Sequence, residues 1–147
     1  PSEKYRVNAD CEKTENMVRK NWFVLPPVQE WYYKSRDPFY KTLPRYRKNC
    51  FSTDNSNPVM ALIYPKNYSK IYVPHEISGE LGRSVFEVAH RNPSVTIYWH
   101  VDNEYIGMTK NIHQMGIVSK TGFHNLVLVD ENGETLNIHF EMISKNQ

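Results

Sequence analysis

The sequence has no apolar run of transmembrane length, and no charged segment followed by an apolar one of the kind that makes a secretory leader. Charge of one sign is scarce as well. Eighteen Lys and Arg stand against 16 Asp and Glu, leaving a net charge of +2 with the signs intermixed. That balance lacks the basic stripe by which a nucleic-acid binder is read. Only 6 glycines occur, and none builds a phosphate-cradling loop. No Ser-x-x-Lys pair is present, so the Lys120-Thr121-Gly122 triplet has no nucleophile to serve. Ser144-Lys145-Asn146 mimics a second element of the same serine enzymes but falls after the triplet, at the chain end. The triplet is therefore read as a turn into the strand that follows. Cysteine is limited to Cys11 and Cys50, 39 positions apart with no histidine cluster beside either, a poor zinc site. In a secreted protein such a pair forms a disulfide and in a cytosolic one it stays reduced; the residues themselves leave both open. Starting at Pro1 rather than Met, the chain reads as a piece of a longer protein.

Aromatic residues are what the chain has in quantity: 13% of 147 residues, 10 of them Tyr. With 39% hydrophobic residues this suffices for the core of one domain, or of a small domain with an extension. The composition favours a β-rich fold. The clearest strand is Ser94–Gly107. Val95, Ile97, Trp99 and Val101 alternate with Thr96, Tyr98 and His100, the period of a half-buried strand. Asp102-Asn103 tolerates the left-handed turn that would send the chain back through Glu104, Tyr105 and Ile106.

Further strands are expected at Val59–Tyr64 and Lys70–Val73, each stopped by proline as suits an edge. Others are expected at Ser84–His90, Phe123–Asp130 and Thr135–Ile143, with a Gly116-containing stretch between. Glu131-Asn132-Gly133 is a hairpin signal, and Leu136, Ile138, Phe140 and Met142 should point inward. About seven or eight short strands around a central Trp predict a mainly β fold, an immunoglobulin-like antiparallel sandwich over residues 57–147.

Residues 1–56 read as an extended arm, irregular over 1–21, with one short helix. Pro27 suits a first helical turn, Val28, Trp31 and Tyr32 share a face, and Asp37-Pro38 stops the helix. Such an arm is either a linker with apolar aromatics or the tail of a preceding domain. Phe51–Pro58, a cluster of loop formers, marks the boundary. Trp22, Trp31 and Tyr32 should require cover, from the sandwich or from a second copy.

His75, His90, His100, His113, His124 and His139 are scattered singly, without the spacing of metal ligands, and are read as surface histidines. Asp102 and Glu104 are explained by their turn, and Asn67-Tyr68-Ser69 matches a glycosylation acceptor, a pattern common by chance. No metal, cofactor or catalytic residue is expected. Tyr98, His100 and Tyr105, on the open face of the Trp99 ribbon, form the candidate binding surface for sugar or protein, against ordinary cross-strand tyrosine pairing.

Two sets of motifs carry a resemblance. The arm reads W-F-V-L-P-P-V-Q-E-W-Y-Y-K, with Leu43-Pro44 and Cys50 beyond. The second half carries I-Y-P at 63–65, I-Y-V-P at 71–74, F-E-V-A-H-R at 86–91, Tyr98-Trp99, and G-F-H-N-L-V-L-V-D-E-N-G at 122–133. From about Trp22 onward the chain resembles the C-terminal region of the penicillin-binding protein 1C family of bifunctional peptidoglycan synthases.

The resemblance implies a parent anchored in the inner membrane and facing the periplasm, with glycosyltransferase and transpeptidase sites upstream of Pro1. It also implies a Cys11–Cys50 disulfide. The expected role is a non-catalytic interaction or positioning module; the alternatives are a glycan-binding module and a structural cap. Expected partners are the catalytic domains of the same chain, a bacterial α2-macroglobulin-like protein, or peptidoglycan.

Overall fold

The structure, a computed structural model, describes residues 4–50 and 58–144. Most of the Phe51–Pro58 boundary cluster, and Lys145-Asn146 of the serine-enzyme mimic, lie outside the described residues. The chain divides into two compact units, residues 1–58 and 59–147.

Among the described residues of the first unit, one α-helix, α1, spans Pro27–Lys34, with proline in the first turn where its missing N–H costs nothing. Its aromatic face is not the covered one. Pro27 and Glu30 are buried, whereas Trp31 and Tyr32 remain exposed, packed edge-to-face on each other at 4.8 Å. The apolar periodicity misread the helix because Glu30 is paired: Lys34 Nζ lies 3.7 Å from its carboxylate, one turn on. Trp22 is half-buried and donates its indole N–H to the Lys41 carbonyl at 2.9 Å. A disulfide joins Cys11 to Cys50 with a Cα–Cα distance of 5.4 Å. Beside it the Arg47 guanidinium bonds the Glu12 carboxylate at 2.7 Å and the Cys11 carbonyl at 2.6 Å. The exposed Glu12 carboxyl is held down to about 2, first by the Asn16 amide and then by Arg47.

The second unit is a two-sheet β-sandwich. Strands β1 (Met60–Tyr64), β3 (Ser84–His90) and β6 (Gln114–Ile117) make one sheet in the order β1-β3-β6. The other sheet runs β2-β8-β7-β4-β5, from β2 (Ser69–Tyr72), β8 (Thr135–Ile143), β7 (Gly122–Asp130), β4 (Thr96–Val101) and β5 (Glu104–Lys110). This distribution of consecutive strands between two sheets is immunoglobulin-like. All pairings between these strands are antiparallel except β2 with β8, which is parallel. The proline-flanked strands β1 and β2 are both edges, where a missing donor is tolerated.

The hairpins form where the turn residues place them. Asp102 and Asn103 take φ of 50° and 68°, the left-handed pair of a two-residue turn, and Gly133 takes 86° between β7 and β8. Between the sheets, Trp99, Ile97, Leu126, Leu128 and Phe140 are fully or almost fully buried, and Phe86 meets Phe140 edge-to-face at 5.0 Å. Burying a side chain of this size contributes about 1.5–3 kcal/mol each, so the alternation along β4, β7 and β8 holds the sandwich together.

Trp99 also has a polar anchor. Its indole N–H donates to Thr109 Oγ1 at 2.8 Å. Thr109 bonds His113 Nδ1 at 2.9 Å, and His113 Nε2 faces the Pro93 carbonyl at 2.9 Å. The carbonyl only accepts, so Nε2 carries the hydrogen and Nδ1 accepts from the threonine. His113 and His90 are therefore buried, not surface, histidines. Burial is possible because every ring nitrogen has a partner; His90 accepts from Asn92 N–H and reaches Asp130 at 2.9 Å. Asp130 in turn takes the N–H groups of Asn132 and Glu134, both at 2.9 Å, and so ties the β7–β8 hairpin together.

Candidate functional site

The outer face of the five-stranded sheet carries aromatic and aliphatic side chains where a solvated face needs only polar ones. By register, Met108, Tyr98, Val129 and Thr135 form one cross-strand row; Tyr105, His100, Val127 and Asn137 form the next. Asn125 with His139, and Phe123 with Glu141 and Lys70, continue it. The structure thus brings Tyr98, His100 and Tyr105 onto one surface. Tyr105 and Met108 are exposed, and the His100 and Tyr105 rings lie 5.5 Å apart. A bulge at Trp99/His100 admits the extra residue Ile106 to β5 and sets Tyr105 opposite His100. Buried His100 Nδ1 has no partner among the described residues.

A groove of about 440 Å³ that residue patterns did not reveal is lined from both faces of β7 and β8, by Phe123, Asn125, His139 and Glu141 of the outer face and His124 and Phe140 of the inner. Phe123 and Tyr68 stand beside it, 84% and 76% exposed. Tyr68 takes φ of 62°, a conformation uncommon for a bulky side chain. It is held there by its N–H to the His139 carbonyl at 2.7 Å and by ring stacking on His139 at 5.6 Å. Asn67, which reads as part of a glycosylation acceptor, uses its side-chain oxygen to accept the His139 N–H at 2.9 Å. A hint of this groove was present in β7, where apolar residues occupy both strand faces: Leu126 and Leu128 inward, Phe123, Val127 and Val129 outward. Read as one very apolar strand, it concealed an apolar outer surface.

At one end of the groove Asp102 and His124 pair at 2.6 Å. Asp102 belongs to the β4–β5 turn and His124 to β7, so no sequence spacing announces them. His124 Nδ1 faces a carboxylate and Nε2 the Lys120 carbonyl at 2.7 Å. Both are acceptors, so the ring satisfies both only with hydrogen on each nitrogen. Burial works to raise the Asp102 carboxyl, but bonds from His124 and from the Asn125 N–H at 2.9 Å outweigh it and hold it below its ordinary value. Asp130 is lowered in the same way, burial opposed by His90 and two backbone donors. These pairs fix turns. Among the described residues no group of three or more His, Cys, Asp or Glu is placed to hold a metal ion, and Glu104 stays exposed beside the Asp102 turn.

Fold and surface together define a small β-sandwich whose five-stranded sheet carries exposed aromatic side chains on its outer face. The sequence of residues 50–140, more than half of the chain, matches the Penicillin-Binding Protein C-terminus Family, and the chain belongs to that family. Among solved structures it is similar to the fibronectin(III)-like modules of Clostridium thermocellum CbhA. That likeness has 12% identity and a TM-score of 0.43, over 58% of this chain and 97% of that one. A comparison with curated proteins finds no match.

Proposed function

We propose that this chain is the non-catalytic C-terminal interaction and positioning module of a periplasmic peptidoglycan synthase, acting through the outer face of its five-stranded sheet. The observation that carries this reading is a cross-strand cluster: Tyr98, Tyr105 and Met108 stand exposed side by side on β4 and β5. Aromatics and Met on a preorganised surface are the usual anchors of a protein contact. The parent is anchored in the inner membrane by a helix outside this chain, with its glycosyltransferase and transpeptidase sites in other domains. The occupants of the surface are those catalytic domains or a separate periplasmic protein, of which a bacterial α2-macroglobulin-like protein is the first candidate.

Photo-crosslinking tests the proposal in the whole synthase, in cells. A photoreactive residue at Tyr98 or Tyr105 should give discrete protein adducts, while one at exposed Val85, on the three-stranded sheet, should not. Equal labelling from both sheets would refute the assignment. Adducts within the chain itself would favour a cap on the catalytic domains over an outside partner.

A further inference from the structure

We propose that Asn132 is a modification site, where the Asn132-Gly133 pair deamidates spontaneously, and that Asp130 is the lock that keeps this reaction slow in the folded chain. Both residues of the pair are exposed at the tip of the β7–β8 hairpin. The reaction needs only the backbone and water. The Gly133 nitrogen, having lost its proton, attacks the side-chain carbonyl carbon of Asn132. A C–N bond forms and closes a succinimide ring, and the side-chain nitrogen leaves as ammonia. Water then opens the ring at either carbonyl, giving aspartate or isoaspartate. Glycine obstructs the attack least, because it has no side chain to shield its nitrogen and the least restricted backbone.

The folded hairpin withholds that nitrogen. Gly133 donates its N–H to the Asp130 carbonyl at 3.1 Å, and Asp130 donates its own to the Glu134 carbonyl at 2.9 Å. Asn132 and Glu134 both donate to the Asp130 carboxylate at 2.9 Å, and Glu131 donates to the Thr96 carbonyl at 3.0 Å. Every backbone N–H from Asp130 to Glu134 is thus engaged, and all but that of Glu131 bond within or to Asp130. The carboxylate is buried and gripped by His90 of the other sheet at 2.9 Å, so the lock belongs to the core although the pair it guards does not. To attack, the Gly133 nitrogen must leave its bond, and the neighbouring bonds resist together, so the reaction runs from a locally opened hairpin. The product does not refit. Isoaspartate inserts an extra main-chain carbon between the Asn132 and Glu134 N–H groups that share one Asp130 oxygen, and aspartate adds a charge to a tip that already carries Glu131 and Glu134.

The test follows Asn132 at neutral pH in the whole chain beside the free peptide Val129–Leu136, by mass-resolved peptide mapping and by labelling with an isoaspartyl methyltransferase. The peptide should convert at least about a hundredfold faster than the folded chain, since the chain reacts only while open. The ratio of the two rates should match, within about tenfold, the hydrogen-exchange protection of the Gly133 N–H, because both report the same opening. Asp130→Ala, shown to be folded by its melting curve, should convert within about tenfold of the peptide rate. Equal rates in chain and peptide would overturn the lock, as would a folded Asp130→Ala variant that converts no faster than the parent. Should that variant not fold, the exchange comparison in the parent chain decides, and a rate ratio unrelated to the protection would refute the lock. Absence of conversion in the peptide would overturn Asn132 as the site.

Discussion

Thr109→Val should destabilise the sandwich far more than the loss of one half-buried hydroxyl implies. Valine keeps the shape of threonine, so little cavity or strain arises; what disappears is the oxygen between Trp99 Nε1 and His113 Nδ1. One buried donor and one buried acceptor are then left without partners, at about 1–3 kcal/mol each. Thr109 is only half-buried, and water reaching the gap offsets part of this, so the pair should cost about 2–3 kcal/mol. A sandwich of this size loses about 4–8 °C of Tm per kcal/mol, which puts the drop at about 10–20 °C. Thr109→Ser keeps the oxygen and should cost about 1 kcal/mol or less for the missing methyl. Urea titration gives the energies, and hydrogen exchange of the Trp99 indole N–H reports the broken bond directly. A valine variant within 0.5 kcal/mol of the parent, with indole exchange unchanged, would show that the chain of bonds does not hold Trp99.

Acid should weaken the fold in two stages. Burial, helped by nearby His90 and opposed by the Pro93 carbonyl, holds His113 below its ordinary 6.5, so the unfolded chain takes up the proton first. Stability is then complete above pH 6.5 and falls as pH drops below it, by at most about 1.4 kcal/mol per pH unit, as urea midpoints between pH 7.5 and 5 will show. Asp102 and Asp130, both lowered from 3.8, add the second loss below that value, and Asp130→Asn should remove part of it in the same titration. Replacing Cys11 and Cys50 by Ser should cost the first unit about 4 kcal/mol on the loop-entropy estimate for a 39-residue separation, read as lost dispersion of its amide signals. Phe123→Ser, on the open face, should leave the melting midpoint within about 0.5 kcal/mol. Phe140→Ala, on the buried face of the neighbouring strand, should cost about 3–5 kcal/mol.

Thr135–Ile143, which alternates strictly, and Ser84–His90, a short run rich in apolar residues, have the bounds expected from the sequence, and Asp102-Asn103 and Gly133 announce their turns. Strand β6 was not legible: Q-M-G-I is four residues with glycine inside, and only pairing with β3 makes it a strand. Nor was the parallel seating of β2, which depends on a partner some seventy residues away. Histidine burial was hidden for the same reason, since the partners of His90 and His113 come from other strands and loops. Of the surface, Tyr98, His100 and Tyr105 could be seen as neighbours because they share one hairpin. The groove could not, because it is assembled from a loop, a turn and two strands.

The parallel pairing of β2 with β8 has a mechanical consequence. If the sandwich is pulled from its first strand and its last, β1 lets go early, and the load then falls along β2 in one direction and β8 in the other. The ladder from Ser69↔Phe140 to Tyr72↔Ile143, extended by the Tyr68 N–H to His139 and the Val73 N–H to Ile143, lies parallel to that load. Its bonds share the force in shear, whereas an antiparallel hairpin opened at its free end breaks rung by rung. Stretched end to end, the sandwich should yield late and abruptly, as a tether does that must hold tension without lengthening.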